Sequence, residues 1–162
     1  MKTTRNKLAA LCASCAFCAT SLAPLTFVST FAAAAGPRVD TPTTAVGFEI
    51  ITVDQAKALV GRAQFYDFRS AVNFGKGHIK GAIAIPYDNK SDDVVAFDAS
   101  KDKFDVSRLP ADKNALLVFH SGEVNGWKGY KAAVVASRAG YKNIKWMREG
   151  MDGWMAKKYP VE

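Results

Sequence analysis

The residues best equipped for chemistry gather in one run, FHSGEVNGWKGYKAA, at 119–133. Ser121 offers a hydroxyl nucleophile, which would need a base in hydrogen-bond reach and a third group to orient that base. His120 is next in sequence, but neighbours on an extended strand point to opposite faces. No Asp–His pairing is legible, and the local string VFHSG lacks the GxSxG elbow of Ser hydrolases. A Ser121-dependent hydrolase therefore stands as an alternative rather than the leading reading. The second chemistry available is anion binding. Gly122, Gly126 and Gly129 permit tight turns that expose backbone N–H groups, and Lys128 and Lys131 lie close in sequence. Ser121, Gly122, Glu123, Val124, Asn125, Gly126, Trp127 and Lys128 would form such a loop, suited to a small oxyanion. Glu123 opposes this, because a carboxylate repels an anion. An empty loop is the competing reading.

Three further polar residues deserve a place beside the loop. Asp67 and Arg69, two apart at a strand end, can point the same way and form a hydrogen-bonded ion pair. The pair serves either to fix the fold or to hold a ligand. His78, between Gly77 and Ile79, reads as fastening a tight turn through backbone hydrogen bonds. Its one fellow histidine is His120, so no zinc or iron site can be assembled. No metal and no cofactor is expected.

Elements that position these residues alternate along the chain. Residues 48–51 form a short apolar strand. Thr52 with Gln55 makes a capping box that opens a helix through Ala56, Leu59 and Val60. Strands follow at 64–68 and 82–85, the latter ended by Pro86. Residues 88–113 are an irregular, partly acidic excursion with one or two short helices. The run ALLVF at 115–119 suits a strand buried on both faces. A helix spans 127–139 with Gly140 at its C′ position, a strand covers 144–147, and a last helix covers 151–158 before Pro160. Strands alternating with helices over this length predict a parallel sheet covered on both sides. Ligands of such sheets sit at the carboxyl ends of the strands, just after Phe68 and Phe119. Trp127, Tyr130, Trp146 and Trp154 read as packing residues, with an exposed aromatic patch for a protein partner as the alternative.

Cys12, Cys15 and Cys18 are the three cysteines of the chain. They fall in a leader that begins with Lys2, Arg5 and Lys7, continues apolar and closes on AAAAG. That sequence of features describes a secretory signal peptide over residues 1–35; an uncleaved membrane anchor is the alternative. The expected location is periplasmic or secreted, with no membrane association after cleavage. Residues 36–47, GPRVDTPTTAVG, read as an exposed linker, and 48–162 as one domain. Of 22 basic residues three lie in the leader, leaving 19 against 15 acids, a balance of +4. These charges are interspersed, which argues against nucleic-acid binding. An oxidising compartment permits disulfides, but no cysteine follows residue 18, so the fold must rest on its core.

The segment YDFRSAVNFGKGHIKGAIAIP, residues 66–86, resembles the first signature of rhodanese domains. The matching positions are Asp67, Arg69, Phe74, Gly77, His78, Ile79, Gly81, Ala82, Ile85 and Pro86, with Asn73 where an acid is usual. The closing GYKNIKWMREGMDGWMAKKYPVE resembles the family's last strand and helix, with Gly150 and Trp154 in register. The resemblance covers residues 48–162 and implies an α/β fold, a five-stranded parallel sheet flanked by helices on both faces. It also implies a catalytic cysteine directly after the buried strand, activated by the N–H groups of the surrounding loop. The nearest pattern is an exported subgroup reading Cys-x-x-x-x-Cys-Trp-Lys. Alignment on Trp127 and Lys128 puts Ser121 and Gly126 where the two thiols would stand. A persulfide needs sulfur as both nucleophile and carrier, and serine supplies neither. The resulting expectation is an exported, non-catalytic binding module for a small oxyanion or a periplasmic partner protein in sulfur or redox metabolism. The enzymatic alternative is a sulfurtransferase that borrows a partner's thiol.

Overall fold

A computed structural model describes residues 39–162. The leader expected over 1–35 lies outside the described residues. At the centre runs β4 (Leu117–His120), whose four residues are all buried. It pairs with β2 (Gln64–Asp67) on one side and β5 (Ile144–Met147) on the other. β1 (Glu49–Ile51) extends the sheet beyond β5, and β3 (Ile83–Ala84) beyond β2. All pairings are parallel, in the order β1-β5-β4-β2-β3. A central parallel strand is covered on both faces, which explains the unbroken apolar run that encodes it.

The period of two along each strand sorts side chains onto two cores. Tyr66, Phe119 and Trp146, adjacent in register, pack with Tyr130, Ala133 and Ala136 of α3 (Trp127–Arg138). Phe65, Val118 and Met147 face the other way, against α1 (Val53–Lys57) and α4 (Gly150–Ala156). A further short helix, α2 (Ala71–Gly75), starts on Ser70, whose hydroxyl accepts from Asn73 N–H.

Helix ends follow their local chemistry. The capping box of α1 is formed: Gln55 N–H donates to Thr52 Oγ1 at 3.2 Å, and Thr52 N–H to Gln55 Oε1 at 2.8 Å. This helix stops at Lys57, earlier than its apolar pattern indicates, and continues as turns closed by Leu59 N–H to Ala56 O and Val60 N–H to Lys57 O. Leu59 and Val60 still reach the core, because a turn carries them inward as a helix would. At the end of α3, Gly140 takes φ +93°. Its N–H bonds Ser137 O and that of Tyr141 bonds Ala136 O, the Schellman arrangement.

The excursion at 88–113 holds two 3₁₀ turns, Ala99–Lys101 and Val106–Arg108. Three of its acids are engaged locally. Asp98 caps the first turn through Ser100, and Asp105 the second through Ser107. Asp102 accepts from Lys90 N–H, Ser91 N–H, Ser91 Oγ and Tyr87 Oη. Among the described residues, no helix is long and apolar enough to cross a membrane.

Candidate functional site

β4 delivers His120 and then Ser121 to the carboxyl edge of the sheet, where the chain turns through 121–126 before α3 begins. The loop is held from below by α4. Met151 N–H donates to Ser121 O at 2.8 Å, and Asp152 N–H to Gly122 O at 2.9 Å. Two carbonyls of the loop thus satisfy donors that the start of α4 would otherwise leave open. This approach demands glycine at 150: φ is +62°, and a Cβ there would stand 2.4 Å from Gly122 O. Within the loop, Gly126 N–H bonds Glu123 O at 2.9 Å. Ser121, 3% exposed, donates its hydroxyl to Gly126 O at 3.1 Å.

That last bond defines what Ser121 can do. Its proton is directed at a carbonyl, which cannot accept it as a base would. His120 is fully buried, with Nδ1 3.5 Å from Ser121 O rather than at the hydroxyl. Burial holds the His120 pKa below the ordinary imidazole value, opposed in part by the negative charge of Asp67 beside it. Asp67 and His120 are register partners on β2 and β4, so they share a face of the sheet.

Asp67 is completely buried and serves Arg69. Its carboxylate receives Arg69 N–H at 2.9 Å, Nε at 2.9 and 3.0 Å, and Nη2 at 2.6 Å. Arg69 Nη2 also donates to Gly77 O at 2.8 Å, tying β2 to the turn that follows α2. His78 completes that turn away from the loop. Its ring stacks on Phe74 at 3.8 Å, its Nδ1 lies 3.2 Å from Phe74 O, and its backbone pairs in both directions with Glu162.

In front of α3 opens a cavity of about 320 Å³. Ser121, Gly122, Glu123, Asn125, Gly126, Trp127 and Lys128 line one side, with Arg69, Ser70 and Asn73 on another and Asn89 and Asp93 opposite. Val124 is not among these residues; its carbonyl turns outward to Thr41 Oγ1 at 2.6 Å. Gly126 is the N-cap of α3 and provides no side-chain cap, so the first-turn N–H groups and the positive end of the helix open on the cavity. Around it Arg69 is paired with Asp67 and Asp93 with Lys131, and Lys128 and Glu123 also line the space.

Two expectations need correction. Lys131, read as a neighbour of the loop that helps attract an anion, is fully buried. Its ammonium donates to Asn89 Oδ1, Ser91 O at 3.0 Å, Ser91 Oγ at 2.9 Å and Asp93 Oδ1 at 3.0 Å. Facing inward on α3, it holds the excursion and so builds the far wall of the cavity. Likewise, part of the stretch read as exposed linker is bound down. Thr41 is 2% exposed, and Val39, Thr41 and Pro42 all bond to the domain. Asn89 and Asp93 were not legible as site residues because their link to Lys131 spans about forty positions of sequence. Ser70 carried a usable signal, an N-cap directly after the Asp-x-Arg motif. Among the described residues, no group of three or more His, Cys, Asp or Glu is placed to hold a metal ion.

A five-stranded parallel sheet with a loop curling from its central strand into a helix N-terminus is the architecture expected of the rhodanese-like class. The family profile for the rhodanese-like domain matches residues 52–157, and the chain belongs to that family. No curated protein matches it. Solved structures share the fold. A Bacillus halodurans protein aligns with TM-score 0.53 at 19% identity, covering 70% of this chain and 76% of that one. A rhodanese-related protein from Thermoplasma volcanium aligns with TM-score 0.50 at 16% identity, covering 70% and 97%. A Saccharomyces cerevisiae protein aligns with TM-score 0.50 at 23% identity, covering 67% and 92%.

Proposed function

We propose that this protein is an exported rhodanese-fold module that binds a small oxyanion in the cavity before α3 and transfers no sulfur of its own. One observation carries the reading. At the carboxyl end of β4, where the family resemblance implies a cysteine, stands Ser121, with its hydroxyl committed to Gly126 O. Sulfur transfer needs a thiolate that attacks a sulfane and holds it as a persulfide. Serine has neither the acidity nor the sulfur, and after residue 18 the chain has no cysteine to replace it. Export is inferred from the basic, apolar and small-residue order of the leader.

Anion binding is supported by the surroundings that remain. The uncapped N-terminus of α3 contributes positive potential worth about 0.3–1 kcal/mol in an exposed setting, and Lys128 borders the same space. A contribution of that size makes the expected affinity modest. A protein partner in sulfur or redox metabolism is the reading left if no anion binds.

Thermal unfolding with sodium sulfate, thiosulfate or phosphate, against chloride at matched ionic strength, tests the cavity. Concentration-dependent stabilisation that is abolished in Lys128→Glu supports it; identical curves with all salts overturn it. The catalytic half is tested separately by thiocyanate formation from thiosulfate and cyanide. Wild type is expected at background, and turnover well above buffer refutes the assignment. Ser121→Cys should acquire a persulfide mass shift with thiosulfate if the loop still forms an activating cradle. Restoring the second thiol is sterically harder. A Cβ on Gly126 would lie 2.8 Å from Glu123 O and 2.9 Å from Ser121 Oγ, so Gly126→Cys requires the loop to move.

A further inference from the structure

The segment 39–42 crosses the outer side of the site loop and is fastened at three separate places. Thr41 Oγ1 donates to Val124 O, at the tip of the loop. Trp127 Nε1, on the first residue of α3, donates to Val39 O at 2.9 Å. Arg148, in the connection between β5 and α4, donates from Nη2 to Thr41 O at 2.8 Å and from Nε to Pro42 O at 3.1 Å. These anchors belong to the start of α3, the tip of the loop and the connection leading into α4; of these, the start of α3 and the residues on either side of the tip line the cavity. At the tip itself Val124 is 36% exposed, and its carbonyl is the atom that the strap takes hold of. The α4 contacts secure Ser121 and Gly122, at the root of the loop rather than at its tip.

We infer that Thr41 and Arg148 are positioning residues of the site: acting through the 39–42 strap, they hold the 121–126 loop and the mouth of the cavity in one conformation. The strap is therefore part of the site although it precedes the first strand. This inference stands whichever ligand the cavity takes, and it is independent of the anion reading. Loop opening and strap release are one event, because the Thr41 hydroxyl cannot keep Val124 O if either piece leaves.

Amide hydrogen exchange by mass spectrometry on the full chain tests it. Thr41→Val keeps the shape and removes the donor, Thr41→Ser keeps the donor, and Arg148→Ala releases the strap from its other end. Losing one such hydrogen bond should accelerate exchange in the peptide covering 121–126 about five-fold. Acceleration is expected in Thr41→Val and Arg148→Ala, wild-type exchange in Thr41→Ser, and no change in the peptide covering 117–120. Unchanged loop exchange in the valine and alanine variants overturns the inference. So does equal acceleration of loop and central strand, which marks a general loss of stability. Should one variant fail to fold, the other reads the same tether from the opposite end.

Discussion

Two glycines with positive φ offer a controlled measure of how tightly the loop sits on α4. Gly150 and Gly140 are both strained positions for an L residue, at φ +62° and +93°. They differ in what a side chain would meet. A Cβ at 140 finds nothing within 4 Å, whereas one at 150 falls 2.4 Å from Gly122 O and 2.8 Å from Ser121 O. Gly140→Ala should therefore cost the backbone penalty alone, about 1–2 kcal/mol. Gly150→Ala adds displacement of two backbone carbonyls and weakening of the bonds from Met151 and Asp152, at about 1 kcal/mol each. The expected total is about 3–5 kcal/mol. At about 4 °C per kcal/mol for a domain of this size, Tm should fall by about 4–8 °C in Gly140→Ala and about 12–20 °C in Gly150→Ala. Urea unfolding of both variants checks the free energies directly. Equal losses would refute the reasoning, because they would mean that the loop carbonyls move aside at no cost. Exchange in the 121–126 peptide should rise in the Gly150 variant beyond the rise in β4, and stay with β4 in the Gly140 variant.

Lys131→Met keeps the buried stem but removes the donor shared by Asn89, Ser91 and Asp93; it should cost about 2–4 kcal/mol and speed exchange across 89–93 first. Denaturant melts and regional exchange measure both, and a loss below about 1 kcal/mol would show that water replaces the ammonium freely. Acidification should weaken the fold from pH 6.5 downward: burial keeps His120 neutral in the folded state, so the unfolded chain binds the proton first. Stability from this group is full above the ordinary imidazole pKa and declines as pH falls toward the lowered folded value, by at most about 1.4 kcal/mol per pH unit. His120→Phe, at a site where Nε2 has no hydrogen-bond partner among the described residues, should flatten the slope between pH 6.5 and 5. An unaltered slope would assign the effect elsewhere.

What sequence could reveal divides along physical lines. Strand β4 was legible because burial on both faces leaves a continuous apolar run, and the capping box and C′ glycine were legible because each is a local bargain between residues three to five apart. The early end of α1 was not, since turns at 58–61 bury Leu59 and Val60 as well as a helix would. At the site, the loop and the Asp67–Arg69 pair could be located from spacing and resemblance. The wall opposite could not. Asn89 and Asp93 acquire their places through Lys131, whose burial reverses the usual expectation for lysine on a helix surface. Thr41 and Arg148 meet across 107 positions, and a Pro/Thr-rich stretch gives no local sign that it will be pinned.

The arrangement around Ser121 also separates two things that the family resemblance joins. Reactivity depends on the atom at position 121, whereas the shape of the loop depends on its neighbours. Gly150 and the start of α4 hold the root, Gly126 permits the internal turn, the strap holds the tip, and Lys131 sets the far wall. None of these contacts uses a thiol. On the proposed reading, oxygen in place of sulfur at 121 removes the chemistry and leaves the enclosure. The hydroxyl even adds a bond to Gly126 O, and a Cβ at 126 would crowd that same contact. Serine at 121 and glycine at 126 thus fit one another, which is the local geometry that the proposed non-catalytic reading requires.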